Sequence, residues 1–527
     1  AQAQEIPPIQ SFTPEMYNAE NQNWAISQSD NKYIYVANNI GLLEFNGALW
    51  KLYETPNQTI LRSVKAVDNL IYTGCYMEFG YWERNTFNEL VYTSLSENLN
   101  VPMVEDEQIW NIIKLDEFIV FQSLNRIYSY STTTKLFNIL ESETTLTKMV
   151  KVDNTVYFQK LNQGVFKIEN GKEKLFSDHD ILKSNRIINI FDFGKSLIIQ
   201  TNRKGFYVFD EGVLSEWKIA ANDFISNLTV YSSIRLKDGG FAVGTISNGI
   251  IKITDVGEIE YSLNQNNGLS NNTVLSVFED IDENIWSGLD NGINCINSAS
   301  PFKEYDDKNG QLGAVYASKV FNGMLYIGTN QGLFVRSMNS NKEFEFVEGV
   351  KGQVWCLDVY DGTLFCGHDL GTFVISGKKA KQISTIEGTW GIKQIPNNKN
   401  LLLQGNYNGL SVLEKKNDDW GLRNKVDGFN MSSKFFEIID QNTVFVSHEY
   451  KGVFIFKLDH TFHTVVKATK DYSVEKGLHS SLLKYNSNIL YAYEDGIYKY
   501  NKKVNTFKKD TILSKVYDSL TYISGKL

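Results

Sequence analysis

Residues 273–305 read TVLSVFEDIDENIWSGLDNGINCINSASPFKEY, and this stretch decides the fold. A β-branched run is followed by the turn sequence DIDEN, a short second run (IWSGL), the turn DNG, a third run (INCINS) and finally FKEY. Each run has the length of a strand, and Gly or Asn accepts the positive φ that a tight hairpin turn demands. The stretch therefore predicts four short antiparallel strands, of which FKEY is the last.

The same unit recurs along the whole chain. Each copy has a short apolar run, a polar cluster, one glycine and another apolar run, and a degenerate copy, LNRIYSY, lies around Arg126. This gives twelve units spaced about 41 residues apart, and four antiparallel strands per repeat of that length are typical of propeller blades. The sequence thus predicts an all-β fold of tandem β-propellers with four-stranded blades. The aligned glycines are Gly41, Gly80, Gly164, Gly205, Gly249, Gly292, Gly332, Gly371, Gly409, Gly452 and Gly496.

Twelve blades exceed the four to eight that one propeller usually holds, so two propellers are expected. The predicted division is a lead-in segment over residues 1–22, a seven-bladed propeller over 23–313, and a second propeller of at least five blades over 314–527. The last residues, SLTYISGKL, read as the start of a thirteenth unit. An open propeller would expose two sheet edges. We therefore expect the second propeller to be incomplete in this chain and the chain to be a fragment of a longer one.

Composition excludes several functions. The net charge is −9 without a basic run, which argues against nucleic-acid binding, and the longest apolar runs are strand-sized, so no membrane segment is expected. Four cysteines without metal-type spacing predict no metal site. Cys356 and Cys366 flank the turn VYDGTL and could form a disulfide across a hairpin; two buried thiols are the favoured alternative.

Longer motifs then point to a family. The segment GLSNNTVLSVFEDIDENIWSGLDNGINCI (268–296) resembles the regulator-propeller repeat of bacterial membrane-spanning signal receptors. The segments NQNWAISQSDNKYIYVANNIGLLEFNGALWKLY (21–53), FCGHDLGTF, GTWGI, GNYNGL and SHEYKGVF resemble one branch of it. In that branch two periplasmic propellers precede a triple-tyrosine β-sandwich, a membrane helix and a LuxR-type helix-turn-helix, and relatives carry histidine-kinase modules instead.

The resemblance implies a periplasmic sensor region that reports an external ligand to transcription. It also implies that the intact receptor could form a homodimer. The sandwich, membrane helix and output domain of the family pattern do not occur within the 527 residues. DNA binding and phosphotransfer are therefore expected of the intact receptor and not of this chain. For this chain we expect no catalytic residues and no cofactor.

Blade topology predicts where a ligand would bind. The residue that opens each first strand and the turn between the second and third strands lie at the same face, so their side chains converge around one mouth of the propeller. Aromatic faces with amide, carboxylate and imidazole groups suit a small-molecule ligand such as an oligosaccharide. Packing of the tryptophans between blades is an equally good explanation for each of them alone. The candidates in the second half are Trp355, His368, Asp369, Trp390, Asn406, Tyr407, Ser433, Lys434, His448, Glu449 and Tyr450.

The first half offers a second candidate mouth with charges of both signs. Its residues are Trp24, Asn38, Asn39, Arg62, Glu78, Trp110, Asn202, Arg203 and Tyr231. This set is less coherent than the one in the second half.

Two other functions are compatible with propellers. A glycosidase would need two carboxylates about the scissile bond, for which Asp369 and Glu449 are the candidates, and a lyase or metal enzyme would need more converging histidines than His368 and His448. We expect no enzyme. The remaining alternative is a protein-interaction propeller without a small ligand, which would carry an apolar patch on one rim.

Overall fold

The computed structural model describes residues 5–169, 171–305, 307, 310–338 and 343–516. It contains two compact units, Glu5–Tyr305 and the described residues from 307 onward, here called the first and second unit. The described part of the predicted lead-in segment 1–22 contains β1 (Glu5–Ile6), β2 (Ile9–Phe12) and helix α1 (Pro14–Tyr17). No helix among the described residues is long and apolar enough to cross a membrane.

Six sheets of the first unit each consist of four consecutive strands paired antiparallel in chain order. They are β3 (Asn23–Gln28), β4 (Ile34–Asn38), β5 (Gly41–Phe45) and β6 (Trp50–Glu54); β7 (Leu61–Val67), β8 (Leu70–Cys75), β9 (Phe79–Arg84) and β10 (Leu90–Ser94); β11 (Asn111–Leu115), β12 (Phe118–Gln122), β13 (Arg126–Ser131) and β14 (Phe137–Glu141); β15 (Val150–Val152), β16 (Thr155–Lys160), β17 (Gly164–Glu169) and β18 (Lys172–Ser177); β19 (Ile187–Phe193), β20 (Ser196–Thr201), β21 (Phe206–Asp210) and β22 (Val213–Glu216); and β23 (Val230–Arg235), β24 (Phe241–Thr245), β25 (Ile250–Ile253) and β26 (Ile259–Leu263).

The seventh sheet of this unit joins the two ends of the ring. Its strands are β27 (Val274–Glu279), β28 (Ile285–Leu289) and β29 (Ile293–Ile296), and its fourth strand is β2, which places Phe12 opposite Ile293. The first strands of the seven sheets contact one another in sequence, and β27 contacts β3, so the ring is closed. This is the propeller arrangement and confirms the predicted all-β class.

The fourth strand of the closing sheet was predicted to be FKEY, and this was wrong. FKEY supplies β30 (Glu304–Tyr305), which pairs with β1 instead. The outer position is taken by β2 because Phe12 fills an aromatic cluster there: its ring lies 5.2 Å from that of Phe45, 5.3 Å from Trp50 and 5.9 Å from Trp286. Residues 5–12 are thus part of the first ring, and the unit ends at Tyr305, before the predicted boundary at residue 313.

The second unit has five four-stranded groups in its described residues, and a parallel bridge from Glu348 to Lys379 joins the first two groups into one sheet. The first strands contact one another in chain order from the first group to the fifth. The segment SLTYISGKL lies outside the described residues. The strands are β31 (Val315–Phe321), β32 (Met324–Thr329), β33 (Gly332–Ser337) and β34 (Glu345–Lys351); β35 (Val354–Tyr360), β36 (Thr363–His368), β37 (Gly371–Ser376) and β38 (Lys379–Ser384); β39 (Gly391–Gln394), β40 (Leu401–Gly405), β41 (Leu410–Lys416) and β42 (Asp419–Lys425); β43 (Phe435–Ile438), β44 (Thr443–His448), β45 (Gly452–Leu458) and β46 (Val465–Lys470); and β47 (Ser481–Tyr485), β48 (Asn488–Tyr493), β49 (Gly496–Asn501) and β50 (Thr506–Lys509).

The core lies between neighbouring sheets, so a middle strand is covered on both faces. All five residues of β28 are buried, as are those of β4 and β24, which explains why these strands read as continuous apolar runs. Helical structure is short: α2 (Asp180–Ser184), α3 (Ala220–Ile225) and the 3₁₀ turns Ser96–Asn98, Gln265–Asn267 and Leu513–Val516.

The repeated glycine has a second reason besides turn geometry. A Cβ at Gly41 would lie 2.2 Å from the carbonyl oxygen of Tyr53, although the φ of Gly41 is not in the left-handed region. At Gly371 both constraints act, because φ is +131° and a Cβ would lie 2.0 Å from the carbonyl oxygen of Ser384. The fourth strand of each of these sheets therefore approaches the start of the third too closely for any side chain.

Candidate functional site

A β-bulge near the start of the first strand recurs in both units. The pairing register of the first strand with the second shifts by one residue there, which leaves one residue unpaired and re-aims its side chain. The bulged residues stand at one end of the inner strands, the same end in every sheet. They are Trp24, Arg62, Ile188, Tyr231 and Leu275 in the first unit and Tyr316 and Trp355 in the second.

Three candidates stand one residue before their first strands, which is the equivalent position. They are Trp110 before β11, Trp390 before β39 and Lys434 before β43. The backbone N–H of Trp110 donates to the carbonyl of Gln122, and that of Trp390 donates to the carbonyl of Gly405. The residues at this position, with the neighbouring turns, form what we call the first mouth and the second mouth, one in each unit.

The second mouth contains an arc of four aromatic rings from three successive four-stranded groups. The ring centroids of Tyr316 and Trp355 are 5.1 Å apart, those of Trp355 and Trp390 are 4.6 Å apart, and that of Tyr407 is 5.1 Å from Trp390. Tyr316 is 46% exposed and Tyr407 is 37% exposed. The arc therefore packs as a unit and still presents aromatic surface to solvent.

Polar contacts fix the orientation of these rings. The indole N–H of Trp355 donates to the Tyr407 hydroxyl at 2.9 Å, and the indole N–H of Trp390 donates to the Ser432 hydroxyl at 3.2 Å. The Tyr407 ring lies directly on the backbone of Gly388, where an added Cβ would be 1.9 Å from the ring. Burial raises the pKa of Tyr407, and the Trp355 hydrogen bond opposes that shift.

A cation extends the arc into the next sheet. The Lys434 ammonium lies 5.6 Å from the centre of the Trp390 ring and 3.4 Å from a carboxylate oxygen of Glu449. The Lys434 side chain is 43% exposed, so this ion pair is screened by solvent and contributes little to stability. The pair is better placed to offer hydrogen bonds at the edge of the aromatic arc.

The two histidines have a structural role that the sequence reasoning missed. Nδ1 of His368 accepts the backbone N–H of Leu370, and Nδ1 of His448 accepts that of Tyr450. In another sheet the hydroxyl of Thr329 accepts a backbone N–H in the same turn. This last residue of the second strand is thus a turn-capping position, which several side chains can fill.

Other predicted residues divide between the interior and the surface. His368 is fully buried, and burial lowers its pKa although the Asp369 carboxylate, 2.6 Å from Nδ1, opposes the shift. Asn406 and Ser433 are fully buried; the Asn406 side chain donates to the hydroxyl of Thr389 at 3.2 Å. Tyr450 is 65% exposed. Asn406, Ser433 and the His368 ring therefore support the mouth from within.

Tyr316 was missed from the sequence. It stands in AVYASKV, in the same place relative to its strand as Trp355 in QVWCLDV. Alignment of the first strands, rather than of the glycines, would have identified it. The signal was present but weak, because a tyrosine in a strand is ordinary.

In the first mouth the structure brings together most of the predicted residues. The Arg62 guanidinium carbon is 3.9 Å from the centre of the Trp24 ring and 4.6 Å from that of Trp110. The indole N–H of Trp24 donates to the side-chain oxygen of Asn39 at 2.8 Å. Tyr231 is near enough for its phenol to interact electrostatically with Arg62.

The remaining first-mouth candidates have other environments. Asn38 is fully buried and donates to backbone carbonyls of residues 20 and 22. The Glu78 carboxylate accepts hydrogen bonds from the hydroxyls of Tyr92, Ser94 and Ser96. Asn202 makes backbone hydrogen bonds to Arg186 and Val230, and Arg203 is exposed in the turn after β20.

The described residues include all four cysteines and the candidate metal ligands. All four cysteines are free thiols, and Cys366 pairs in register with Leu357 rather than with Cys356. Burial raises the pKa of both of these thiols, which is the behaviour of inert core cysteines. No group of three or more His, Cys, Asp or Glu converges as a metal site in this part of the chain.

Comparison with known proteins supports the architecture. The extracellular domain of the hybrid two-component system BT3049 of B. thetaiotaomicron matches with a TM-score of 0.69 at 17% identity, over 96% of this chain and 73% of that one. The extracellular domain of the one-component system BT4673 of the same organism matches with a TM-score of 0.43 at 14% identity, over 96% and 73%. Streptogramin B lyase gives 0.45 at 14%, over 55% and 97%. The first likeness shows a shared fold; no family model and no curated protein matches the chain.

Proposed function

We propose that this chain is the extracytoplasmic, periplasmic sensing region of a bacterial signal-transduction regulator of the regulator-propeller type, with transcription as its output. In this role it binds an oligosaccharide or similar small ligand at the second mouth. The observation that carries the proposal is the arc of Tyr316, Trp355, Trp390 and Tyr407, which is held by internal hydrogen bonds and presents aromatic surface. The fold shared with a two-component extracellular domain supports the same role.

The chemistry of the arc suits a sugar. The C–H-bearing face of a pyranose stacks on exposed aromatic rings, and its hydroxyls then meet the polar groups at the border of the stack. Here these groups are the Lys434 ammonium and the Glu449 carboxylate, paired at 3.4 Å and partly exposed. A neutral ligand can hydrogen-bond to both partners without leaving either charge unpaired.

A binding role fits this mouth better than a catalytic one. The two carboxylates considered for hydrolysis, Asp369 and Glu449, are engaged with different partners, His368 and Lys434. We therefore infer that the chain binds its ligand without transforming it.

The experiment is a thermal-shift and calorimetric screen of the 527-residue chain against neutral and acidic oligosaccharides. A saccharide that binds should raise the melting temperature, and Tyr316→Ala and Trp390→Ala should each weaken its affinity about tenfold or more. Tyr485→Ala is the matched control, because Tyr485 is an exposed tyrosine at the opposite end of the inner strand β47.

Two results would contradict the proposal. If no saccharide binds folded protein, or if a bound saccharide is equally affected by Tyr485→Ala, the second mouth is not a sugar site. Silence across the panel would favour a protein partner for this surface.

A further inference from the structure

The first mouth contains a charged group in an unusual state. The Arg62 guanidinium packs against two indoles that are nearly perpendicular to each other, at 3.9 Å from the Trp24 ring centre and 4.6 Å from the Trp110 ring centre. Its Nε–H donates to the side-chain oxygen of Gln108 at 2.9 Å, whereas Nη1 is buried and has no hydrogen-bond partner among the described residues. A buried, charged donor without an acceptor is destabilising and therefore needs an explanation.

The surrounding contacts fix this arrangement without neutralising it. The Trp24 indole donates to Asn39, whose amide donates to Gln22 at 3.1 Å, and Gln22 in turn donates to a carboxylate oxygen of Asp290 at 2.6 Å. The acidic group at this end of the network thus orients Trp24 through two amides. It is not the counter-ion of Arg62.

More positive charge lies at the same mouth. Lys148 lies two residues before β15, next to Thr147, whose N–H donates to the carbonyl of Gln159 as that of Trp110 does to Gln122, and it is exposed to solvent. The protein around it nevertheless desolvates the ammonium and lowers its pKa. Arg62 and Arg186 both interact electrostatically with the phenol of Tyr231, which comes from the sixth sheet. Arg62, Lys148 and Arg186 thus stand at or just before the start of the inner strands of three sheets, in a chain whose net charge is −9.

We propose that the first mouth is a second ligand site, specific for a carboxylate, in which the Arg62 guanidinium binds the carboxylate and Lys148 supplies a further positive charge. A guanidinium presents its N–H donors in a planar fork, which matches a carboxylate in shape and charge. The Tyr231 ring offers an aromatic wall and a hydroxyl for the rest of the molecule. The ligand is a small organic acid or an acidic sugar.

This site is independent of the sugar site proposed for the second mouth. The two lie in different units and use different chemistry, aromatic stacking in one and a paired charge in the other. Variants of one mouth therefore test one proposal and leave the other standing.

The test uses calorimetry on the complete chain with matched acid and neutral probes. D-Galacturonate is compared with its methyl ester, and benzoate with benzamide, so that each pair keeps the ring and the carbonyl group and differs in the charge of the acid. We expect an acid to bind and its neutral partner not to bind, with affinity that falls as NaCl is raised. Binding of galacturonate alone would indicate an acidic sugar, and binding of benzoate alone would indicate a non-sugar acid.

Variants locate the site. Arg62→Gln should weaken acid binding at least tenfold, Arg62→Lys should restore only part of it because the fork is lost, and Lys148→Met should weaken it several-fold. Lys148 is exposed, so this variant reports on binding even if Arg62→Gln fails to fold. Lys195→Met removes the same charge from an exposed turn at the other end of the inner strand β19 and should have no effect.

Two results would overturn the proposal. One is that neither acid binds folded protein at low salt. The other is that an acid binds with the same affinity to the parent, Lys148→Met and Arg62→Lys, which would place it elsewhere on the chain.

Discussion

In the first unit the inner-strand position at the mouth places Arg62 against the indoles of Trp24 and Trp110, whereas in the second unit Tyr316, Trp355 and Trp390 pack on one another without a cation among them. The backbone is the same in both, with a bulge or the residue just before the strand directing one side chain to the mouth. The ladder of hydrogen bonds does not depend on that side chain. The repeat can therefore preserve its geometry while each mouth acquires its own chemistry.

The largest expected effect comes from a substitution in β2, the strand that closes the first ring. Phe12→Ala deletes a ring that is 3% exposed and contacts Phe45, Trp50 and Trp286, so it should destabilise the first unit by about 3–5 kcal/mol. Phe87→Ala, at a phenylalanine that is 83% exposed in the same unit, should be nearly neutral. Hydrogen exchange resolved by peptide would measure both.

The same experiment shows whether the two units, and with them the two mouths, unfold independently. Peptides of the first unit should lose protection in Phe12→Ala, and peptides around Trp355 and Trp390 should not. Equal loss in both units would show that they unfold as one, and the comparison of two independent sites would then fail.

A smaller effect tests the second mouth. Gly388 has φ +70° and carries the Tyr407 ring on its backbone, whereas Gly377 has φ +59° and open space around it. Alanine at either position should lower the free energy of unfolding by about 1–2 kcal/mol, because an L residue is strained in the left-handed backbone region. At Gly388 displacement of Tyr407 should add about 1–3 kcal/mol of overpacking.

Chemical denaturation of Gly388→Ala and Gly377→Ala would measure this difference, and intrinsic fluorescence would report the disturbed Trp355 and Trp390 rings. A saccharide that binds the parent should lose affinity only in Gly388→Ala. Equal stability of the two variants would mean that Tyr407 adapts freely and is not part of a preformed arc.

The repeat made the architecture predictable, because its glycines and turns recur wherever the backbone requires them. It could not reveal that β2 completes the last sheet, since this depends on Phe12 filling a space between sheets that are distant in sequence. Trp355, Trp390 and Tyr407 were identified at the mouth, but the capping role of His368 and His448 was not, because a polar residue in a turn has the same appearance in either role. Tyr316 was missed because the repeat was aligned on its glycines, and these do not mark the first-strand position that Tyr316 shares with Trp355.

The smallest expected effect is on the pH dependence of stability, which a histidine of the second unit should change and a histidine of the first unit should not. Burial lowers the pKa of His448, Lys451 acts in the same direction, and Glu449 opposes it. The unfolded chain therefore binds a proton more readily than the folded chain, so the stability of the second unit should be retained above about pH 6.5 and decrease as the pH falls below that value.

His448→Asn keeps an acceptor for the Tyr450 N–H but cannot titrate. It should change stability by no more than about 0.5 kcal/mol at neutral pH and reduce the loss of melting temperature on acidification. His179→Asn, at the N-cap of α2 in the first unit, is the control and should leave the pH response of the second unit unchanged. An unaltered acid response in His448→Asn would assign the effect to His368, which caps the equivalent turn two sheets earlier.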